Sequence, residues 1–121
     1  MISKDELPSC PVTTTVQLIG NKWRLLILRL LFNSTCRFSV LLKNIPGISA
    51  KVLTDNLRSM ENDGLITREV CSHSPLHVEY SISPLGNDLR PIITAIRSFG
   101  IKYCPLKQKT RLGLSLSDKK F

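Results

Sequence analysis

The apolar residues of this chain change their spacing once, abruptly, at Gly64-Leu65. Ahead of that point Ala50, Leu53, Leu57 and Met60 follow steps of three, four and three, the interval of one helix face. Beyond it Val78, Tyr80 and Ile82 alternate with Glu79, Ser81 and Ser83, the interval of a strand. A helix that hands over directly to a hairpin, and is entered through the tight Pro46-Gly47 turn, leaves few architectures open. Two helices joined by a Gly-containing turn make a helix-turn-helix, and the hairpin stands where a wing stands. The expected fold class is therefore mainly α with a small β-hairpin (α+β), a winged helix-turn-helix with additional N- and C-terminal helices.

The remaining elements fit around this unit. Val12 to Ile19 reads as a first helix, with Gly20 as a left-handed C-terminal cap. Asn21 can cap a second helix, Lys22 to Phe32. It is apolar nearly all round, so it belongs at the centre, with Trp23 in the core and only Lys22, Arg24 and Arg29 needing solvent. A third helix runs from Ser39 to Ile45, with Leu41, Leu42 and Ile45 inward. Ser49 caps a fourth, Ala50 to Asp63, closed by Gly64. Strands are expected at Leu65 to Cys71 and Val78 to Ser83, joined through the six residues from Ser72 to His77. Ser83-Pro84 opens a last long helix. Leu85, Leu89, Ile92, Ile96, Phe99 and Tyr103 mark its face, Pro91 can kink it, and Cys104-Pro105 ends it.

The 121 residues favour one small domain, read as an N-terminal arm at 1–9, a domain at 10–104 and a basic, flexible tail at 105–121. Net charge is +8, split evenly. Residues 1–104 hold 12 Lys and Arg against 8 Asp and Glu, and residues 105–121 hold 5 against 1. Such a balance suits a polyanion without demanding one. The longest apolar stretch, Leu25 to Phe32, is interrupted by Arg29 and is too short to span a bilayer. Met1 to Glu6 does not resemble a secretory signal, so the cytoplasm is the expected location. The four cysteines lie far apart and form no Cys-x-x-Cys pair. No Gly-rich phosphate loop, nucleophile elbow or His-Glu-x-x-His run is present, so no enzyme and no cofactor is expected.

The expected partner is double-stranded DNA, because a major groove admits one helix whose outward side chains reach base edges. On the Ala50–Asp63 helix the outward residues near its start are Ser49, Lys51, Val52, Thr54, Asp55 and Arg58. Lys51 and Arg58 can donate to guanine or phosphate, Thr54 can meet a base edge, and Asp55 has to face a donor. Arg37, Ser39 and Lys43 stand where backbone contacts are made. Arg68, His73, Ser74 and His77 of the hairpin can reach phosphates or a minor groove. Each of these residues is equally compatible with a solvated surface. The outer helices carry more apolar surface than one small core covers. Val12, Val16 and Ile19 of the first, with Leu89, Ile92, Ile93, Ile96, Phe99 and Tyr103 of the last, are expected to form a homodimer interface. A small-molecule effector can be imagined between these helices, although Ile19, Ile92 and Phe99 are explained as well by packing. Two alternatives stand beside this reading. A metal-responsive regulator would use Cys71, His73 and His77 with Glu69 or Glu79, and a winged helix can also dock proteins without binding DNA.

Several runs together resemble the HxlR-type regulators, relatives of the MarR group. They are Cys10-Pro11-Val12, Leu18-Ile19-Gly20-Asn21-Lys22-Trp23, Arg37-Phe38-Ser39, Ile45-Pro46-Gly47-Ile48-Ser49, Leu53-Thr54, Leu57-Arg58, Glu61-Asn62-Asp63-Gly64-Leu65-Ile66, Arg68, Val78-Glu79-Tyr80, Ser81 and Leu85-Gly86. The resemblance covers residues 10–104. It implies a winged-helix homodimer that represses or activates nearby genes, with dimer contacts from the first and last helices. Two places depart from the pattern: Gly20-Asn21 replaces a glycine pair, and Ile82-Ser83-Pro84 replaces a Leu-Thr junction. Cys10 stands where some members of the family sense quinones, aldehydes or oxidants, so the resemblance makes it the redox candidate, with Lys4 and the first helix's N-terminus available to lower its pKa. Cys36, Cys71 and Cys104 are expected to pack, Cys104 also being a conceivable disulfide mate on a partner.

Overall fold

The computed structural model describes residues 10–111, and for 105–111 the backbone alone. In chain order they form α1 (Pro11–Ile19), α2 (Lys22–Asn33), β1 (Cys36–Arg37), α3 (Phe38–Asn44), α4 (Ala50–Asn62), β2 (Ile66–His73), β3 (Leu76–Ile82), α5 (Pro84–Asn87) and α6 (Arg90–Arg111). This is the expected winged helix-turn-helix, mainly helical with a small antiparallel sheet. The arm at 1–9 and residues 112–121 of the expected tail lie outside the described residues. No described helix is long and apolar enough to cross a membrane.

Helix starts follow the capping residues. The Asn21 side chain accepts from the Arg24 amide at 2.9 Å, Ser49 Oγ from Val52 at 3.1 Å and Ser83 Oγ from Gly86 at 2.9 Å. Each satisfies one donor that a helix N-terminus leaves open. Gly64 ends α4 with φ at 80°, and Gly47 makes the inter-helix turn with the same value. The core is assembled from the predicted stripes: Ile27 and Leu28 of α2, Leu41 of α3, Leu53, Leu57 and Met60 of α4, then Leu65 and Ile66. Burying each such side chain contributes roughly 1.5–3 kcal/mol.

Several expectations are corrected. Gly20 is not left-handed, having φ −61°; a Cβ there would meet the Val16 carbonyl oxygen, so close backbone approach explains the glycine. Ala50, placed in the inward stripe, is exposed at the start of its helix. Trp23 is half-buried rather than core, with the Lys22 ammonium 4.5 Å above its ring. Arg24, assigned to solvent, is only 6% exposed. Its guanidinium bonds Asp63 at 2.8 Å, the Leu18 carbonyl at 2.5 Å and Ser59 Oγ. It thereby ties the end of α1 and the start of α2 to the C-terminal turn of α4.

The sheet is larger than a hairpin. β1 pairs antiparallel with β3 in the order β1-β3-β2, Cys36 facing Tyr80 and Arg37 facing Glu79. The two main strands extend to His73 and from Leu76, so the loop shrinks to Ser74-Pro75. Their register breaks between Val70 and Ser72, where Cys71 is the extra residue of a bulge.

The last helix is two helices. α5 is a single turn, and α6 starts anew at Arg90 with Pro91 second, where a missing N–H has no helical partner to lose. α6 also passes through Pro105 to Arg111, so residues 105–111 are helical, not tail. One proline forfeits one backbone bond, and the helix-favouring residue types at 106–109 carry the helix on. Two compact units divide at Asp88 and Leu89.

Candidate nucleic-acid interface

α4 presents two faces of opposite character. Leu53, Leu57 and Met60 are buried, which fixes the helix's rotation. Lys51, Asp55 and Arg58 consequently lie exposed on the other side, while Val52 and Thr54 are half-buried at its margins. Ser49 is committed to its cap. The donor that Asp55 faces is Lys51, at 2.9 Å one turn back. Both side chains are largely in water, so the pair is worth about 0.3–0.5 kcal/mol and yields readily to a stronger anion. The Thr54 hydroxyl donates to the Ala50 carbonyl at 2.8 Å, which leaves its oxygen able to accept.

A cleft of about 330 Å³ separates α4 from the wing, lined by Thr54, Leu57, Arg58, Glu61, Arg68 and Tyr80. Arg58 and Arg68 therefore converge from different elements, one from the helix and one from β2. Arg37 stands in β1, immediately ahead of α3, and is exposed, as are Ser39 in the first turn of α3 and Lys43 in its last. Neutral and cationic donors spread over two helices and two strands suit a phosphate backbone, whose charge is distributed along the duplex.

The wing separates its candidate residues. His73 and Ser74 are exposed at the tip. His77 is half-buried, its Nε2 2.8 Å from Glu79 Oε2, so its ring is directed along β3 rather than outward. Cys71, His77 and Glu79 come together, and His73 does not join them. The register gives the reason: Ser72 pairs with His77 and His73 with Leu76, which sends the His73 side chain to the opposite face.

The cysteines differ in chemistry. Cys10 is exposed at the N-cap of α1 and makes no capping hydrogen bond as a thiol. The Thr13 amide, then the Thr13 hydroxyl and the Val12 amide, favour its thiolate and lower its pKa. Lys4, expected to assist, lies outside the described residues. Cys71 is also exposed, but partial desolvation at the sheet surface, followed by the charges of Glu79 and Glu69, raises its pKa against the pull of Arg37. Cys36 is buried and Cys104 half-buried.

The outer helices leave apolar surface open. On α1, Val12 and Val16 are exposed and Ile19 is half-buried. On α6, Ile92, Ile96, Phe99, Ile101 and Tyr103 are exposed, and the Phe99 and Tyr103 rings stack with centroids 5.9 Å apart. Leu89 and Ile93, expected in the same interface, are buried within the chain.

Sequence and structure comparisons agree with this geometry. The model of the HxlR-like helix-turn-helix family matches residues 18–108. YdeP, an HTH-type transcriptional regulator of Bacillus subtilis (strain 168), is 38% identical over 117 residues, covering 97% of this chain and 91% of the relative. The structure of HypR, named a redox regulator, in its reduced form has a TM-score of 0.76 at 31% identity, covering 84% of this chain and 99% of HypR. The reduced form of the transcriptional regulator YodB from B. subtilis has a TM-score of 0.68 at 26% identity, covering 80% and 96%.

Proposed function

The chain belongs to the HxlR-like helix-turn-helix family, and from that premise we propose that it acts as a homodimer that reads a palindromic or near-palindromic operator with a pair of α4 helices. It is a helix-turn-helix transcriptional regulator, not an enzyme. The observation that carries the reading is the rotation of α4: its buried side is wholly apolar, and the opposite side offers Lys51 and Arg58 to solvent.

In this reading α4 enters the major groove. Lys51 exchanges Asp55 for a phosphate or base acceptor, and Arg58 acts together with Arg68 across the cleft. Arg37, Ser39 and Lys43 hold the backbone, and the wing tip at His73 and Ser74 reaches the flanking groove. The exposed apolar faces of α1 and α6 each meet a second copy, and the stacked Phe99 and Tyr103 supply the aromatic surface that interfaces favour. Two-fold symmetry then sets half-sites about one DNA turn apart, roughly 34–36 Å.

Cys10 is the proposed redox element. It is exposed, its thiolate is favoured by its own helix, and a thiolate is the form that oxidants attack. That HypR is named a redox regulator supports this assignment.

Selection of bound fragments from genomic DNA supplies the operator, and mobility shift against salt tests the interface. Lys51→Ala and Arg58→Ala should weaken binding, and each should lower the salt slope by about 1 for every phosphate left without its cation. Sedimentation should give a dimer that Phe99→Glu converts to monomer. Binding unchanged by both α4 substitutions, with the dimer intact, would refute the reading. Diamide, which takes two thiols to one disulfide, should join Cys10 to a second thiol and release DNA from the parent but not from Cys10→Ser.

A further inference from the structure

The wing carries a meeting of three ligand types that DNA binding does not use. Cys71 Sγ, a ring nitrogen of His77 and a carboxylate oxygen of Glu79 all lie within 4.8 Å of one another. The bulge creates the meeting. Val70 pairs with Val78 and Ser72 with His77, which leaves Cys71 as the additional residue opposite His77. A bulge sets two residues of one strand against one of the next and re-aims a side chain. Glu79, two residues along β3 from His77, shares its face of the sheet. Arg68 and Tyr80, which line the cleft with α4, belong to the other face, so the group lies on the side turned away from α4.

The electrostatics of this face favour a cation. Glu69 and Glu79 are directly paired across β2 and β3, and like charges in that position destabilise a sheet. Arg37 approaches from β1 in register with Glu79 and supplies one positive charge. Two carboxylates against one guanidinium leave this face short of positive charge.

We propose that Cys71, His77 and Glu79 form a binding site for a divalent ion of the zinc class. A thiolate, an imidazole and a carboxylate are the donors zinc takes, whereas magnesium and calcium require oxygen ligands. Zinc bonds of roughly 2.0–2.3 Å place tetrahedral donors about 3.3–3.8 Å apart. Rotation of the exposed Cys71 side chain and of the His77–Glu79 pair has to close on the order of 1 Å to reach that geometry. On binding, Cys71 gives its thiol proton to solvent and bonds as thiolate, His77 bonds as neutral imidazole, and water takes the fourth position. No electron is transferred. The ion replaces the His77–Glu79 hydrogen bond and ties β2 to β3 across the bulge. This site stands whether or not the wing touches DNA.

The test uses the full chain, purified without an affinity tag, stripped by chelation and titrated with Co2+ and then Zn2+, without DNA. One cobalt per chain should bind with a thiolate-to-cobalt charge-transfer band in the near ultraviolet, and Zn2+ should displace it. Cys71→Ser should abolish the band. His77→Gln and Glu79→Gln should each weaken Zn2+ by about tenfold or more, since even outer-shell partners are worth 10–100-fold. His73→Gln and Cys104→Ser should leave stoichiometry and affinity unchanged, and circular dichroism should show every variant folded. Absence of the band in the parent, its survival in Cys71→Ser, or an equal loss in His73→Gln would overturn the site.

Discussion

Replacing Arg24 with Met should destabilise the protein far more than a surface arginine would. The guanidinium and the Asp63 carboxylate are each 8% exposed and 2.8 Å apart. At an effective dielectric of about 20 their mutual attraction is about 6 kcal/mol, most of it offset by the loss of hydration on burial. Truncation does not return that hydration. It strands the Asp63 carboxylate, the Leu18 carbonyl and the Ser59 hydroxyl together, which three hydrogen bonds from one side chain now satisfy. Removing one member of a buried pair costs about 3–5 kcal/mol, out of a total of about 5–15 kcal/mol for a domain. Urea unfolding at fixed protein concentration should therefore show Arg24→Met lower by ~3 kcal/mol, or ~12–24 °C in Tm. Arg24→Lys should fall between the two, because an ammonium lacks the planar fork. Arg24→Met combined with Asp63→Asn should cost less than the two singly, by at least ~1 kcal/mol. A loss within ~0.5 kcal/mol for Arg24→Met, or strict additivity, would show that the pair is not coupled as its geometry requires.

Gly86→Ala should cost ~3 kcal/mol by overpacking, because a Cβ there would meet both the Leu65 carbonyl oxygen and the Ile82 Cδ1 atom; thermal melting checks it. Ser49→Ala should remove the cap of α4 and about 1 kcal/mol, read in the same melts. Alkylation by iodoacetamide should follow thiolate populations: with its pKa lowered, Cys10 should reach half-maximal rate at a lower pH than Cys71, whose pKa is raised. Peptide mapping across a pH series measures both, and in denaturant the two profiles should merge.

The helix-turn-helix was legible because α4 buries one stripe and the unit is punctuated by Gly47, Ser49 and Gly64. The candidate residues on α4 follow from that same rotation. What escaped was whatever depends on neighbours distant in sequence. β1 is two residues long, too short to show alternation, and exists only because β3 offers it a free edge. Arg24 reads as a solvent residue until residues 18, 59 and 63 are brought around it. The bulge at Cys71 shifts the parity of β2 by one, which turns His73 away from the face that His77 and Cys71 share. Pro105 has the composition of a helix stop, and the helix passes it.

Ser83 has a consequence for how such a molecule can vary. It is buried where the wing ends, accepting from the Gly86 amide and donating to the Gly64 carbonyl, with Gly86 packed against the next backbone. The root of the hairpin is thereby clamped while Ser74-Pro75 projects into solvent. Length and charge can be altered at the far end of this lever, changing how far it reaches, without disturbing the pivot on which the adjoining helices are set.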